Sequence, residues 1–406
     1  MSITPTQQAR PNRPEQSGSS AAMHRRGAGR RMAVTLFTVL AVVLGIATLS
    51  IEGTRLRHSA LPSRSNPLND AARARADSVA FLQRYVASNG RVIRTDQGGD
   101  TVSEGQGYAM LLAVAVGDRR RFAAAWQWDQ QNLQLGDGLF AYHWSGGRVV
   151  DQSSAADADL DTAWALVLAS QRFGVPAYLT DGLRVASAIL ANETAVVAGR
   201  LELVAGPWAR SVPAVVDPGY FAPEAMGALG NVSGDARWFQ LVTDSTQVIA
   251  SPTSGTGPTL VPNWLDLESD GSVQAIGSPS GVGSPSYGLD AQRAPVWFAA
   301  GCTTTERAVA ADAWPLLKGA ADHGARISYN LSGASPAKDV NPLGLVAASA
   351  AAGAAGHAPI ALALLSRADR QTRRFHTYYG DAWAALGRVL LTTDWLSPCA
   401  PIHDKG

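Results

Sequence analysis

The amino-acid sequence predicts an all-α fold. Alanine is abundant, apolar residues recur at helical spacing along most of the chain, and glycine and proline separate these stretches at short intervals. This pattern predicts roughly a dozen helices joined mostly by short connections. Three of these helices follow a loop and begin at an acidic residue, namely Glu104, Asp157 and Asp290. Helix pairs arranged in a ring would bring such junctions together at one end, so we expect a functional site there.

The first junction lies in residues 101–117, where small polar and glycine residues give way to an apolar run. Apolar residues from Tyr108 onward recur at the spacing of one helix face. Ser103 is followed three residues later by Gln106, which predicts a capping box and a helix that begins there. Glu104 then lies in the first turn beside glycines that leave its carboxyl uncovered. Either Glu104 faces a substrate, or it only complements the positive end of the helix dipole.

The second junction holds three carboxylates within a short stretch, at Asp157, Asp159 and Asp161. An acidic first turn of a helix accounts for part of this cluster, although like charges repel each other. A calcium loop of the EF-hand type would need a glycine at its sixth position and a closing glutamate, and both are missing. The seven histidines show no zinc-ligand spacing. We therefore expect neither a metal ion nor another cofactor.

The rest of the chain repeats the helical pattern, with one long interruption. Further helices are predicted at residues 70–88, 120–133, 179–191, 221–229, 236–249, 294–300, 304–317, 342–352, 359–367 and 379–392. Residues 140–144 are expected to form a short strand or an extended loop. The chain between Ile249 and Tyr287 is rich in serine, glycine and proline and reads as a long loop. A loop of this length in a compact domain is usually functional.

The N-terminal part of the chain predicts a membrane anchor. Residues 1–31 are basic and almost free of apolar side chains, which predicts a disordered cytoplasmic tail. Residues 32–51 are apolar and uncharged, and about 20 such residues suffice for a transmembrane helix. A cleaved signal peptide is the alternative, although its apolar core is usually shorter. We interpret residues 52–74 as a linker, 75–397 as an exported main domain and 398–406 as a tail.

Charge and cysteine content limit the partners that this chain can have. The formal net charge is +1 and only 17% of the residues are charged, so no general attraction to nucleic acid is expected. Cys302 and Cys399 are the only cysteines in the sequence. Because an oxidising exterior permits disulfides, we hypothesise that these two residues form a bridge that fastens the C-terminal segment.

Five stretches of the chain resemble segments of glycoside hydrolase family 8. This is the inverting family of bacterial cellulases, chitosanases, licheninases and some xylanases. Its three motifs are similar to residues 103–108, 155–173 and 287–293, which occur here in the family's order, and residues 217–223 and 378–383 look like two further family segments. The resemblance extends over roughly residues 75 to 397, the whole of the predicted main domain. It implies an (α/α)6 barrel with a substrate groove at the end where the motif loops gather.

The resemblance also implies roles for the three acidic residues. Glu104 corresponds to the general acid, Asp157 to the sugar-binding carboxylate and Asp290 to the general base that activates water. The sequence departs from the family at Ala156, where Ser or Thr is usual, and at Thr162, where Ile or Met is usual. Ala156 removes a hydroxyl that bears on substrate contacts rather than on the reaction. A helix N-terminus lowers the pKa of a carboxyl, but we expect burial and the charge of Asp157 to raise the pKa of Glu104.

Aromatic residues in loops are candidates for the groove, because the flat face of a sugar is apolar and packs on a ring. The expected substrate-binding residues are Tyr108, Trp144, Asp159, Trp208, Trp264, Tyr287 and Arg293. The tryptophans expected in the core are Trp126, Trp164 and Trp383. Together these features predict a monomeric, membrane-tethered or secreted endo-acting hydrolase of β-1,4-glucan. The alternatives are a non-hydrolytic glycan-binding protein that aids polysaccharide export, and the same chemistry on xylan or chitosan.

Overall fold

The computed structural model describes residues 67–251 and 259–397, which contain thirteen α-helices and eight short strands. The helices are α1 (Pro67–Tyr85), α2 (Ser103–Val116), α3 (Arg119–Asn132), α4 (Ala156–Phe173), α5 (Pro176–Asn192), α6 (Pro223–Ser233), α7 (Arg237–Ala250), α8 (Ala294–Ala299), α9 (Thr304–Asp312), α10 (Trp314–His323), α11 (Pro342–Ala354), α12 (Ala358–Arg374) and α13 (Tyr378–Thr392). The strands are β1 (Thr101–Val102), β2 (His143–Ser145), β3 (Arg148–Asp151), β4 (Thr194–Val197), β5 (Arg200–Leu203), β6 (Ala214–Val216), β7 (Trp264–Leu267) and β8 (Val273–Ile276).

The helices form a closed double ring. Six inner helices contact one another in the order α2, α4, α6, α8, α11 and α13, and α13 packs back against α2. Six outer helices, α1, α3, α5, α7, α9 and α12, each pack against an inner neighbour, so that outer and inner helices alternate along the chain. Helix α10 is an addition that packs against α11. The predicted (α/α)6 barrel is therefore confirmed for the residues described.

The inner position of α2 explains its composition. All fourteen of its residues are buried, whereas the sequence pattern predicted one buried face. Helix α2 contacts α1 and α3 on its outer side and α4 and α13 beside it, so no face is left for solvent. A helix that is apolar all round is stable only in such a position.

The start of α2 was predicted correctly, but the predicted capping box is wrong. The helix begins at Ser103, and its N-cap residue is Val102, which makes no side-chain capping bond. The amide of Gln106 is buried and accepts a hydrogen bond from the Val92 N–H at 2.6 Å. It also donates to the carbonyl of Ala125 at 3.2 Å, and so ties α2 to α3 and to the preceding loop. The partners of Gln106 are distant from it in sequence. The spacing of Ser103 and Gln106, which predicted the capping box, contains no information about them.

The strands form small antiparallel sheets in the connections that lead from an outer helix into the next inner helix. One sheet has the order β1–β2–β3, a second is the hairpin β4–β5, and a third has the order β6–β7–β8. Two of these strands, β7 and β8, lie in the stretch that was predicted to be a loop throughout. That expectation is therefore wrong for residues 264–267 and 273–276, because β7 pairs with the distant strand β6 and with β8. Residues 252–258 of the same stretch lie outside the described part of the chain.

The described residues begin at helix α1 and end at residue 397. Helix α1 begins at Pro67, so the last part of the predicted linker belongs to the barrel. The predicted anchor at residues 32–51, the basic tail before it and the tail at 398–406 all lie outside the described residues. Among the described helices none is both long and apolar enough to cross a membrane. Cys302 is disulfide-bonded, while its predicted partner Cys399 is outside the described residues, so that pairing stays a prediction.

A buried ion-pair network joins the first and last helices of the ring. Arg388 of α13 is fully buried. Its Nη2 donates to Asp369 of α12 at 2.6 Å and its Nε donates to Asp77 of α1 at 3.1 Å. Three helices that meet where the chain closes the barrel are thus held by one guanidinium.

We predict that Arg388→Met lowers the free energy of unfolding by about 3–5 kcal/mol, because removing the cation leaves the carboxylate of Asp369 buried without its partner. Urea denaturation of the purified protein measures the loss. The matched control is Arg370→Met on the exposed side of α12, which should change stability by no more than about 0.5 kcal/mol. Equal losses in the two variants would contradict a role for the network in closing the ring.

Candidate active site

One buried arginine connects four carboxyl groups from separate parts of the chain. Arg293 is 2% exposed. Its Nη1 donates to Glu104 Oε1 at 2.8 Å and to Asp157 Oδ2 at 2.6 Å. Its Nη2 lies 3.6 Å from Asp290 Oδ1 and 3.9 Å from Asp217 Oδ2. The two ends of the guanidinium therefore face two different pairs of acids.

Helix starts of the inner ring bring these groups together. Glu104 lies in the first turn of α2 and Asp157 in the first turn of α4. Asp290 directly precedes a 3-10 turn, Ala291–Arg293, that leads into α8. The three acidic junctions singled out in the sequence thus lie around a single site, as the ring arrangement predicted. Asp290 and Arg293 therefore lie at opposite ends of the same short turn.

A glycine allows the fourth acid to approach. Asp217 precedes the 3-10 turn Pro218–Tyr220, and its Oδ1 accepts a hydrogen bond from the Gly219 N–H at 2.7 Å. A β-carbon at Gly219 would lie 2.0 Å from the carbonyl oxygen of Asp290. Since real β-carbons do not approach an oxygen so closely, only glycine lets the two turns pack together here.

Glu104 is more enclosed than the sequence suggested. It is 8% exposed, and the adjacent Gly105 does not uncover it, because a β-carbon there would lie 2.5 Å from the hydroxyl of Tyr378. Tyr108 donates from its hydroxyl to Glu104 Oε1 at 2.6 Å and itself accepts from the indole N–H of Trp383 at 3.2 Å. The carboxyl of Glu104 is therefore fixed in orientation by a buried chain of hydrogen bonds.

The electrostatic surroundings keep Glu104 partly protonated at neutral pH. Burial raises the pKa of Glu104 to about 7, Arg293 and the Tyr108 hydrogen bond oppose the rise, and the charges of Asp157 and Asp290 add to it. This is the outcome expected from the sequence, where burial and like charge were predicted to outweigh the helix dipole.

Further carboxyls beside the guanidinium are also shifted toward the protonated form. Burial raises the pKa of Asp217 well above its ordinary value, and the neighbouring charge of Asp290 adds to this effect. Burial likewise raises the pKa of Asp161, helped by the charge of Asp157. One guanidinium thus faces more acids than it can neutralise, and protons balance the remainder.

The expected substrate-binding residues divide into two groups. Five of them are buried, namely Tyr108, Asp159, Trp264, Tyr287 and Arg293, whereas Trp144 and Trp208 are half-buried. Asp159 and Tyr287 are enclosed in the core, and neither side chain is open to solvent in this structure. Asp159 has no exposed surface and accepts a hydrogen bond from the Phe140 N–H at 2.9 Å. Tyr287 is 1% exposed, its backbone pairs with that of Tyr329, and the two ring centroids lie 6.1 Å apart.

The three expected loop tryptophans have different surroundings in the structure. Trp144 is half-buried on β2, whose partner strand β1 leads directly into α2, and the Arg91 guanidinium lies 4.1 Å from its ring centroid. Trp264 on β7 packs against the ring of Tyr220, which in turn lies 5.0 Å from the guanidinium of Arg293. Trp208 is half-buried in the 3-10 turn at residues 207–209. The three tryptophans expected in the core are buried, which confirms that prediction.

Some residues at the site were missed in the sequence. Asp217, Tyr220 and Tyr379 were part of stretches noted only for their resemblance, without a role. The hydroxyl of Tyr379 is buried, and the carboxyl groups of Glu104 and Asp290 and the guanidinium of Arg293 all act on its pKa. The signal that could have identified these residues is an aspartate or tyrosine at the start of a predicted helix, as at the other three junctions.

The described residues contain no group of three or more histidine, cysteine, aspartate or glutamate side chains arranged to hold a metal ion. The three aspartates of the second junction instead have separate surroundings. Asp157 bonds to Arg293, Asp159 accepts from the backbone of Phe140, and Asp161 lies beside the start of α2.

Comparison with known proteins assigns the chain to a family. The model of glycosyl hydrolases family 8 matches residues 69–311, more than half of the chain, and the protein therefore belongs to this family. A probable endoglucanase of Novacetimonas hansenii is 30% identical over 224 residues, which cover 54% of this chain and 64% of the relative. An endoglucanase of Cellulomonas uda is 29% identical over 225 residues, covering 54% and 61%. The chain thus spans less than two thirds of the length of these relatives.

Solved structures show the same fold. The endo-beta-1,4-glucanase CMCax from Acetobacter xylinum aligns with a TM-score of 0.66 at 25% identity, over 80% of this chain and 98% of the other. A beta-1,3-1,4-glucanase from Paenibacillus sp. X4 aligns with a TM-score of 0.73 at 19% identity, over 82% and 94%. At this lower identity the second likeness shows the fold alone.

We predict that Arg293→Met makes the stability of the protein depend more steeply on pH. The folded protein holds Glu104 with a pKa of about 7, above the ordinary 4.5, so the folded state binds more protons between these values and loses stability as the pH rises through them. Removing Arg293 raises this pKa further and extends the loss to higher pH, since each unit costs about 1.4 kcal/mol.

The measurement is the melting temperature of wild type and variant at pH 5 and pH 8. The deficit of Arg293→Met should be larger at pH 8. Arg237→Met is the control, because Arg237 forms an exposed pair with Asp235 and its loss should cost little at either pH. A deficit that does not change with pH would rule out the proposed charge balance.

Proposed function

We propose that this protein is an inverting, endo-acting hydrolase of β-1,4-glucan chains. The observation that supports this most strongly is the arrangement around Arg293, which contacts Glu104 and Asp157 through one nitrogen and faces Asp290 with the other. Membership of the family and the printed descriptions of two relatives as endoglucanases point to the same activity.

Glu104 is the proposed general acid. It protonates the glycosidic oxygen as the bond to the sugar breaks, and a pKa of about 7 lets a large fraction of molecules carry this proton at neutral pH. The hydrogen bond from Tyr108 fixes one of its oxygens and leaves the other for the substrate. A carboxyl that is both oriented and protonated is what this step requires.

Asp290 is the proposed general base. It takes a proton from water as that water attacks the anomeric carbon from the face opposite the leaving group. In an inverting glycosidase the attacking water must fit between the general base and the sugar. The acid and base carboxyl groups of such enzymes therefore stand about 6.5–9.5 Å apart. Glu104 lies at Nη1 of Arg293 and Asp290 lies at Nη2. This placement of the two carboxyl groups at different nitrogens supports one acting as the acid and the other as the base. Asp290 is also more exposed than Glu104, which suits a group that must meet water.

Asp157 is the proposed sugar-binding carboxylate. One oxygen accepts from Arg293 and the other accepts from the Ala158 N–H at 2.9 Å, which fixes the plane of the carboxylate. In this position it would hold a hydroxyl of the sugar at the cleavage point and stabilise the positive charge that develops there. Trp144, Trp208 and Trp264 remain the proposed stacking surfaces of the groove.

A reducing-end assay on carboxymethyl cellulose tests the activity directly. Release of reducing ends together with a rapid fall in viscosity would indicate endo-acting cleavage. The panel includes xylan, chitosan and mixed-linkage β-1,3-1,4-glucan, because the structural likeness extends to a beta-1,3-1,4-glucanase. Binding of cellulose without any release would overturn the proposal in favour of a glycan-binding protein.

We predict that Glu104→Gln and Asp290→Asn each lower kcat on a glucan by about 10²–10⁴-fold, since this is the usual contribution of a placed proton-transfer group. An aryl glycoside with a good leaving group should partly rescue Glu104→Gln, because its departure needs little protonation, but should not rescue Asp290→Asn. Steady-state kinetics on both substrates measure the difference.

The control for these two variants is Asp270→Asn, which removes a carboxyl that is exposed on a turn between β7 and β8. It should behave as wild type. Losses below tenfold in Glu104→Gln or Asp290→Asn, with the fold intact by circular dichroism, would be incompatible with the proposed roles.

We further propose that the domain acts outside the cytoplasm, tethered through residues 32–51. The uncharged run supports this, as does the disulfide at Cys302, because such bonds persist in oxidising compartments. The protein should stay in the membrane fraction after a carbonate wash, and protease added to intact cells should degrade the domain. A domain protected from the protease would contradict export, while a shortened soluble form would indicate a cleaved signal peptide.

A further inference from the structure

Two carboxyl side chains lie side by side in the core behind the catalytic residues. Asp159 in the first turn of α4 and Glu193 at the end of α5 have no exposed surface. The Oδ1 of Asp159 accepts from the Phe140 N–H at 2.9 Å, and the Oε1 of Glu193 accepts from the Ser154 hydroxyl at 2.7 Å. The two carboxyl groups also lie within hydrogen-bonding reach of each other.

This pair needs a proton. Among the described residues, the remaining oxygens, Oδ2 of Asp159 and Oε2 of Glu193, receive no hydrogen bond from another group. Two carboxylates in contact would repel, whereas one shared proton gives both oxygens a partner. Burial raises the pKa of Glu193 to about 8 and that of Asp159 well above its ordinary value. The surrounding charges of Asp129, Asp137 and Asp157 act in the same direction.

The position of the pair in the chain gives it a consequence for the site. Ser154, which is bonded to Glu193, comes three residues before Asp157, and Asp159 comes two residues after it. The backbone of Glu193 is fixed in turn, because its carbonyl accepts from the Val204 N–H at 2.9 Å. Glu193 thus contacts the chain on both sides of Asp157, through Ser154 before it and Asp159 after it.

We propose that Asp159 and Glu193 act as one hydrogen-bonded carboxylic acid pair that positions Asp157 against Arg293 for catalysis. The proposal rests on the hydrolytic function set out above. Neither residue of the pair touches the substrate, so both are positioning residues. A displacement of about 1 Å at a reacting group can cost 10²-fold in rate, which is enough for a buried contact behind Asp157 to matter.

Two variants of the protein at Glu193 test this. Glu193→Met removes both hydrogen bonds at similar volume and should lower kcat by at least about tenfold, with a smaller change in KM. Glu193→Gln should restore kcat to within about threefold of wild type, because its amide oxygen can accept from Ser154 while its N–H donates to the Asp159 carboxylate without a shared proton. If Glu193 only filled space, Glu193→Met and Glu193→Gln should have the same kcat.

The matched control is Glu202→Met. Glu202 has the same side chain, no exposed surface and a pKa raised by burial to about 8, but it pairs with Arg200 on β5 instead of holding the Asp157 segment. Its substitution should leave kcat at the wild-type level. If Glu193→Met fails to fold, Ser154→Ala decides: it removes one hydrogen bond and should lower kcat at least about threefold.

A Glu193→Met protein with kcat near that of wild type would overturn the proposal, as would a Glu193→Gln variant that is as impaired as Glu193→Met. A Ser154→Ala variant with unchanged kcat would overturn it where Glu193→Met is not folded. The activity of the wild-type protein distinguishes failure of the positioning role from failure of the proposed hydrolytic function. An inactive wild-type protein would contradict both proposals. An active wild-type protein with unaffected variants would contradict only the positioning role.

Discussion

The structure depends on the need to balance charge around one buried guanidinium. Arg293 has almost no exposed surface, and such a cation is tolerated only with well-placed carboxylates. Glu104, Asp157, Asp217 and Asp290 meet this need from four separate places in the chain. The double ring makes that possible, since acidic residues at inner helix starts come together at one end. The arrangement of the inner helices therefore also determines which carboxyl groups surround Arg293.

The same constraint accounts for the proposed chemistry. One guanidinium cannot neutralise several acids, so burial and the like charges of neighbours raise the pKa of some of them. Glu104 is one of these and has a pKa of about 7, whereas Asp290 is more exposed. In the proposed mechanism the more buried Glu104 is the acid and the more exposed Asp290 is the base. The pair formed by Asp159 and Glu193 extends the principle into the core, where a proton replaces a cation as the partner.

Local patterns in the sequence were sufficient for some features and not for others. Helical spacing predicted the barrel helices and placed Glu104 in the first turn of α2, because both depend on neighbours in the chain. The capping role of Gln106 was wrong, since its partners lie on another helix and in a preceding loop. The central place of Arg293 could not be found either, because its contact to Asp157 joins residues 136 positions apart. Burial of Asp159 was missed for the same reason.

The anomeric configuration of the first product tests the proposed mechanism most directly. Direct attack by water activated at Asp290, with Glu104 protonating the leaving group, inverts the anomeric carbon in one step. Proton NMR recorded during the first minutes of glucan hydrolysis should therefore show the α anomer before mutarotation. Early appearance of the β anomer would mean retention through a covalent intermediate, and it would contradict both the inverting assignment and the role given to Asp290.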